Sequence, residues 1–334
     1  MSGPAASMFS PAAQAMAQRL GLKMGRPNQD VFAQTLLELA KADANVLAVT
    51  SDSRGSGKLG PFASALPRQI VEVGIAEQNL VGIAAGLASC GKTVFAVSPA
   101  CFLTARSLEQ IKNDVCYSDQ PVKLVGISAG VSYGALGSTH HSLHDLAALR
   151  AIHNIDIVVP ADNFETREAV KAAAKARHPV YLRFGKAPMY DLKSEISDSR
   201  FEIGPSRILR DGTDLAFLAT GETVVHALLA AGMLADRGVS CRVLSLHTIK
   251  PLDSAAVLSA GRGCRGIVTV EEHSIHGGLG EACAGVLMQA GVCVPMRIVG
   301  IPDEHTHTGS QAEIFAHYGI SMEGLAATAA ELIR

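Results

Sequence analysis

Short runs rich in Val and Ile alternate with helix-length amphipathic segments along almost the whole chain, and this alternation constrains the fold more than any other feature. From Asp30 a helix over VFAQTLLELAKA leads to a buried strand, NVLAVT, and then to a polar glycine-rich loop, SDSRGSGKLG. The strand RQIVEVG runs into a helix, AEQNLVGIAAGLASCG, and further strands are expected at TVFAVSP, VKLVGIS, IDIVVPA and PVYLRF with helices between them. Strands that are apolar throughout are buried on both faces, and intervening helices supply the crossovers that parallel strands need. The pattern relaxes over MYDLKSEISDSRFEIGPS, which places a linker at 193–203. A second alternation follows through DLAFLAT, VVHALLAAGMLADRG, CRVLSLH, AVLSAG, GIVTVEE, GGLGE and MRIVGIP. The expected fold class is therefore α/β, in two consecutive domains at 27–192 and 203–334, each a mostly parallel sheet flanked by helices. Residues 1–26, rich in Ala, Met, Gln and Ser, read as an N-terminal arm or loose helix.

Composition narrows the class. Of 334 residues, 48% are apolar and 18% charged, as in a globular protein with a sizeable core. A net charge of −2 gives no case for nucleic acid or an anionic membrane, so an acidic substrate would be held by a few placed cations. The seven cysteines are scattered and odd in number, without a CxxC pair, which is the usage of reduced intracellular thiols. The opening MSGPAASMFS has neither the basic nor the continuous apolar region of a secretory signal. No run reaches the ~20 apolar residues of a membrane span, and the expected compartment is the cytoplasm.

In a parallel sheet, ligands bind beyond the carboxyl ends of the strands, so the polar residues there are the candidates. They are Ser51 to Ser56, Gly74 to Asn79, Ser98 and Pro99, Gly130 to His144, and Arg183 with Lys186. Glu77 opens a helix among apolar Ile75, Ala76, Leu80, Val81 and Ile83. That position suits a first-turn carboxylate that complements the helix dipole, and it equally suits a carboxyl group whose apolar collar raises its pKa toward neutrality. His140, His141 and His144 have an HHxxH spacing, but no second cluster completes a zinc site, and no metal ligand is expected in this chain.

The stretch EVGIAEQNLVGIAAGLASCG resembles the signature of the pyrimidine-binding domain of transketolases and 1-deoxyxylulose-5-phosphate synthases. CFLTARSLEQIKND, GSTHHSLHDLAALR, VVPADNFET, YLRFGK, HTIKPLD and VTVEEHSIHGGLGEA agree with it in order and spacing, so the resemblance covers residues 27–325. The chain is similar to the C-terminal subunit of a split transketolase. The resemblance implies thiamine diphosphate as cofactor, with Glu77 as the carboxyl group that bonds ring nitrogen N1′ and favours the reactive imino tautomer. It places Phe102 where an aromatic ring stacks on the aminopyrimidine, although Phe is also a common core residue. Asp52 and Gln110 fall beside the cofactor pocket. His140 corresponds to a histidine near the reacting carbonyl and hydroxyl groups of the sugar. Arg183 corresponds to an arginine that clamps an anionic tail, Ser56 to a serine that touches it, and Arg106 either faces the same pocket or is a helix-surface cation.

Three positions depart from the family. Two tail-binding residues fall at Gln29 and Ser128, and an acidic residue that contacts the acceptor falls at Leu136. The sugar implied is not the ordinary pentose phosphate set: a branched sugar phosphate, a sulfosugar or an unphosphorylated ketose would fit. The GDG…N segment with which full transketolases bind diphosphate and Mg²⁺ has no counterpart, and no GDG triplet occurs in the chain. The resemblance thus implies a separate N-terminal subunit that carries this motif and most of the Mg²⁺ site, in an α₂β₂ heterotetramer. His247, Lys250, His273, His276, His305 and His307 lie in a second domain that the resemblance makes chiefly structural. The expected activity is transfer of a two-carbon ketol unit from a ketose to an aldose. The alternatives are the β subunit of a 2-oxo-acid dehydrogenase, a 1-deoxyxylulose-5-phosphate synthase-like enzyme and a non-catalytic scaffold subunit.

Overall fold

The computed structural model describes residues 7–192 and 201–334. Its first sheet has seven strands, in the order Thr248–Lys250, Asp156–Val158, Val180–Arg183, Lys123–Ile127, Thr93–Pro99, Val46–Thr50 and Ile70–Glu72. Neighbours are parallel except at the outer edge, where Thr248–Lys250 runs antiparallel to Asp156–Val158. Side chains alternate across the sheet. Phe95, Val97, Val125 and Leu182 face the helices Asn28–Ala42 and Asn163–Lys175. Val94, Ala96, Leu124 and Tyr181 face Glu77–Ser89, Ala100–Arg106 and the π-helical segment Ile111–Tyr117. Strands without a polar face require this double cover.

The second sheet has five strands, in the order Met296–Ile301, Ile267–Ser274, Leu215–Ala219, Cys241–Ser245 and Arg207–Arg210, with only the last pair antiparallel. Helices Thr223–Ala235 and Met322–Leu332 pack on one face. Ser254–Gly263 and Leu279–Gln289 pack on the other. The two domains share a core, because Leu146, Leu149 and Ile157 of the first lie in one apolar cluster with Leu244, Leu246 and Ile249 of the second.

Two expectations change. The N-terminal segment, from Ser7 onward, is neither loose nor separate. Ser10 caps the helix Pro11–Arg19 by accepting from the Ala13 N–H at 3.0 Å, and that helix buries Ala13, Met16 and Ala17 against Thr223–Ala235. A Cβ at Gly232 would stand 2.8 Å from Met16 Sδ, so glycine lets the two helices cross closely. Lys23–Pro27 then pairs antiparallel with Pro188–Asp191, a strand formed where the sequence pattern relaxes. Among the described residues of the arm, Phe9, Ala13, Met16, Ala17 and Leu22 are buried in the chain's own core. Secondly, Thr248–Lys250 belongs by position to the second domain yet completes the sheet of the first. Most of the linker expected at 193–203 lies outside the described residues.

Candidate active site

The strands Val46–Thr50, Thr93–Pro99, Lys123–Ile127 and Val180–Arg183 are parallel and open their carboxyl ends on one edge of the first sheet. Just beyond two of them, Asp52 (φ 51°) and Ser128 (φ 50°) hold a left-handed backbone, which is uncommon for non-glycine residues and concentrates at functional sites.

Glu77 is the first residue of Glu77–Ser89, is 4% exposed, and sits at a helix start with no side-chain cap, where free N–H groups favour an anion. Arg106 Nη1 donates to both of its oxygens at 3.0 Å. The expected apolar collar is incomplete: Ile75 is 74% exposed, and a guanidinium instead of a hydrocarbon closes the outer side of the carboxylate. Arg106 ends the helix Ala100–Arg106 one turn beyond Phe102, and its guanidinium lies 4.1 Å from the Phe102 ring centroid. The Phe102 ring meets His140 in a T-shaped contact at 5.3 Å, and His140 meets Tyr133 the same way at 5.5 Å. Lys186 Nζ lies 5.3 Å from the Tyr133 centroid. Glu77, Arg106, Phe102, His140, Tyr133 and Lys186 therefore form one continuous run from a buried carboxylate to an exposed ammonium. Thr139 Oγ1, 2.9 Å from His140 Nδ1, orients the imidazole. Burial raises the Tyr133 phenol above its ordinary pKa against an opposing hydrogen bond with Ser128, so it stays neutral. Sequence reasoning assigns Tyr133 no role and marks Lys186 only as a strand-end cation. The available signal was their place in two of the strand-end segments.

Arg183 requires a correction. It is 5% exposed, its Nε donates to Asp145 Oδ2 at 2.8 Å, and its Nη2 donates to the carbonyls of Ser142 at 3.1 Å and Glu272 at 2.9 Å. Burial acts to raise the Asp145 carboxyl, but Arg183 and His273 outweigh it and hold it below its ordinary pKa. A guanidinium committed in this way ties the two domains together and cannot clamp a sugar tail. Gln29 and Ser128, the departures in the tail grip, are buried and bond to each other at 3.3 Å. Leu136, the third departure, is exposed. Ser56 Oγ donates to the Ser53 carbonyl at 3.2 Å inside its own loop, and the Asp52 N–H donates to Glu72 Oε1 at 2.7 Å. Neither belongs to the run from Glu77 to Lys186. His141 Nε2 is 2.9 Å from the Gly134 carbonyl and His144 Nε2 is 3.3 Å from Thr104 Oγ1, so the three imidazoles of the HHxxH spacing serve different neighbours.

Arg106 is also an internal test of what the pocket fits. Its guanidinium is planar, lies on Phe102 and hydrogen-bonds to Glu77, and an aminopyrimidine ring would take the same face and accept the proton of the same carboxyl group at N1′. Gln110 Oε1 is buried without a hydrogen-bond partner among the described residues, an acceptor left for a donor such as a ring amino group. The residues present fit the pyrimidine end of thiamine diphosphate.

Comparison with known proteins gives the family of the two domains. Residues 26–190 match the transketolase pyrimidine-binding domain and residues 204–325 match the transketolase C-terminal domain. The chain is 51% identical over 303 residues to an apulose-4-phosphate transketolase subunit of Phocaeicola vulgatus, an alignment that covers 91% of this chain and 96% of that one. It is 34% identical over 304 residues to the 6-deoxy-6-sulfo-D-fructose transketolase subunit of Clostridium sp. strain MSTE9, covering 91% and 94%. Among solved structures, a split-gene transketolase described as an inactive β₄ tetramer superposes with a TM-score of 0.82 at 34% identity, covering 93% of this chain and all of that one. The chain belongs to the transketolase family, and it carries that family's pyrimidine-binding domain followed by its C-terminal domain.

Proposed function

We propose that this chain is the C-terminal-half subunit of a two-part transketolase, which moves a two-carbon ketol unit from a ketose to an aldose. Thiamine diphosphate is held between this chain and an N-terminal-half partner that brings the GDG…N segment and Mg²⁺, in an α₂β₂ assembly. The run from Glu77 to Lys186 carries this reading. It sets out a buried carboxyl, a stacking ring, an imidazole and a cation in the order in which aminopyrimidine, reacting carbons and anionic tail would follow.

When bound, thiamine diphosphate supplies the carbanion chemistry. Glu77 holds a proton at its carboxyl for ring nitrogen N1′, and Phe102 offers the ring face. For both, Arg106 must leave Glu77, and once released it is free to face the sugar. Asp52 and Gln110 are further residues assigned to the cofactor, Gln110 through its unpartnered Oε1. With Nδ1 engaged by Thr139, His140 handles protons at Nε2, on the carbonyl and hydroxyl oxygens of the sugar. Neutral Tyr133 donates a hydrogen bond beside it. Lys186, in place of Arg183, holds the anionic tail.

The relatives named for apulose 4-phosphate and for a sulfosugar act on ketoses with a compact anionic tail and lie outside the pentose phosphate set. This agrees with the altered positions Gln29, Ser128 and Leu136, and the donor proposed here is a branched sugar phosphate of the apulose 4-phosphate type. The test is co-expression with the N-terminal-half subunit and initial rates with apulose 4-phosphate, 6-deoxy-6-sulfofructose and xylulose 5-phosphate. The branched phosphate should have the highest kcat/KM. Equal or better turnover of xylulose 5-phosphate would overturn the donor, and lipoyl-dependent decarboxylation of a 2-oxo acid in place of ketol transfer would overturn the reaction class.

A further inference from the structure

The loop between the strand Lys123–Ile127 and the helix Asp145–Arg150 carries Tyr133 and His140, and its backbone forms a relay of three turns. The Gly134 N–H donates to the Val131 carbonyl at 2.8 Å, the Gly137 N–H to the Gly134 carbonyl at 3.0 Å, and the His140 N–H to the Gly137 carbonyl at 2.9 Å. A displacement at Val131 is therefore passed on, turn by turn, to His140. The second domain touches the relay at each of its first three points. Glu272, in the strand Ile267–Ser274, accepts from the Val131 N–H through Oε1 at 2.8 Å. A Cβ at Gly134 would stand 2.9 Å from the Gly309 carbonyl oxygen, and one at Gly137 would stand 3.9 Å from Thr308 Oγ1. Both glycines hold a left-handed backbone, at φ 50° and 74°, where a side chain would be strained as well as crowded.

The second domain makes these contacts as one unit. The same Glu272 Oε1 accepts from Gln311 Nε2 at 2.8 Å. Gln311 opens the helix Gln311–His317 directly after Thr308, Gly309 and Ser310, and Ser310 caps that helix in a reciprocal box with Glu313. Glu272 and Gln311 are both buried, so leaving either hydrogen bond unmade is costly. We propose that the second domain sets the position of His140, with Glu272 and Gln311 as positioning residues that act through the relay from Val131. Glu272 needs only an acceptor oxygen for this role, and an amide carbonyl in its place would serve as well. That the position of His140 governs turnover rests on the transketolase reading, whereas the seat itself does not.

The experiment compares wild type with Glu272→Gln and Glu272→Met. Glutamine keeps an acceptor oxygen for both donors, while methionine keeps the length of the side chain and accepts from neither. Amide hydrogen exchange of residues 130–142 is followed in the full chain. The values of kcat, KM and thiamine diphosphate affinity are measured in the complex reconstituted with the N-terminal-half subunit. Glu272→Met should exchange about fivefold faster over this segment, as expected for one lost hydrogen bond. Its kcat should fall by about 10–100-fold, the scale of loss for a misplaced reacting group. Its KM for the anionic ketose and its cofactor affinity should stay within about twofold, because Lys186, Glu77 and Phe102 lie outside the relay. Glu272→Gln should keep exchange and kcat within about threefold of wild type. Unchanged exchange in Glu272→Met would overturn the seat. Faster exchange with wild-type kcat would overturn the positioning role, and so would a matching loss of cofactor affinity, which would mean general damage to the site. An equal loss of kcat in Glu272→Gln would overturn it too, because the charge and not the acceptor would then matter. If Glu272→Met does not fold, Gln311→Met takes its place, with the same changes expected and the same outcomes decisive. If the wild-type complex shows no ketol transfer, the transketolase reading fails, and the exchange rates alone still uphold or refute the seat.

Discussion

Arg183 and Lys186 share one short strand-end segment and face opposite ways. Arg183 is enclosed by Asp145, Ser142 and Glu272, whereas Lys186 is exposed over Tyr133. Replacing each by alanine should separate the two roles. Arg183→Ala leaves Asp145 as an unpaired buried charge and should cost about 3–5 kcal/mol of stability, read from the urea midpoint. Lys186→Ala should change stability by less than ~0.5 kcal/mol and raise KM for a phosphorylated or sulfonated ketose about tenfold or more, with kcat largely kept. A Lys186→Ala enzyme with unaltered KM would remove Lys186 from the site. Glu77→Gln keeps the shape of the side chain and removes its exchangeable acid proton, so kcat should fall by a factor on the order of 10²–10⁴ while the chain stays folded. Wild-type turnover by that variant would end the assignment of Glu77. Glu77, Phe102 and His140 each lie in a local motif that the sequence marks, and the fold brings the three into one run through Arg106. The sequence misled at Arg183 because the groups that bury that guanidinium lie 38, 41 and 89 residues away, and no local pattern announces them. Lys186 and Tyr133 were visible as strand-end residues, but which strand-end side chain turns outward depends on what the second domain presses against.

At the scale of elements, the parallel strands and their covering helices followed from the apolar runs. The placements that did not follow are those where an element serves another domain. The helix Pro11–Arg19 has too few strongly apolar residues to be recognised as core, yet its small side chains fit against Thr223–Ala235, a helix buried on nearly every side. His226 marks this junction. Its ring stacks on Phe9 at 5.0 Å and meets Phe315 at 5.4 Å, and neither ring nitrogen has a hydrogen-bond partner among the described residues. Burial lowers its pKa to about 4 from 6.5. The unfolded chain therefore takes up this proton first as pH falls, so stability is lost between about 6.5 and 4 and is constant below. The full effect is roughly 3 kcal/mol. In wild type, the Tm should drop over this interval by more than in His226→Phe, which keeps the ring packing and cannot titrate. The N-terminal arm should become susceptible to protease over the same interval in wild type alone. Parallel Tm profiles for the two proteins would show that His226 is not the coupled group.

At the scale of the whole molecule, the proposed function makes this chain one half of a binding surface. The candidate pyrimidine side lies around Glu77, and Arg106 pairs with that carboxylate. Ile75, next but one to Glu77, is 74% exposed, and Leu136, near His140 in the chain, is 57% exposed. Large apolar side chains placed so openly beside a candidate site suit a surface that another subunit covers. If the proposed N-terminal-half partner seats here, neither thiamine diphosphate binding nor activity should appear with this chain alone, and both should appear when the partner and Mg²⁺ are added. Ile75→Asp tests the surface directly. Ile75 makes no contribution to the buried core of the chain, so the variant should unfold within ~0.5 kcal/mol of wild type. Within the assembly the aspartate would be desolvated against apolar surface without a counter-ion, and the complex should dissociate on size-exclusion chromatography, with cofactor binding lost alongside. Full activity of the Ile75→Asp complex would move the partner interface elsewhere, and cofactor binding by the isolated chain would contradict the division of the site between two polypeptides.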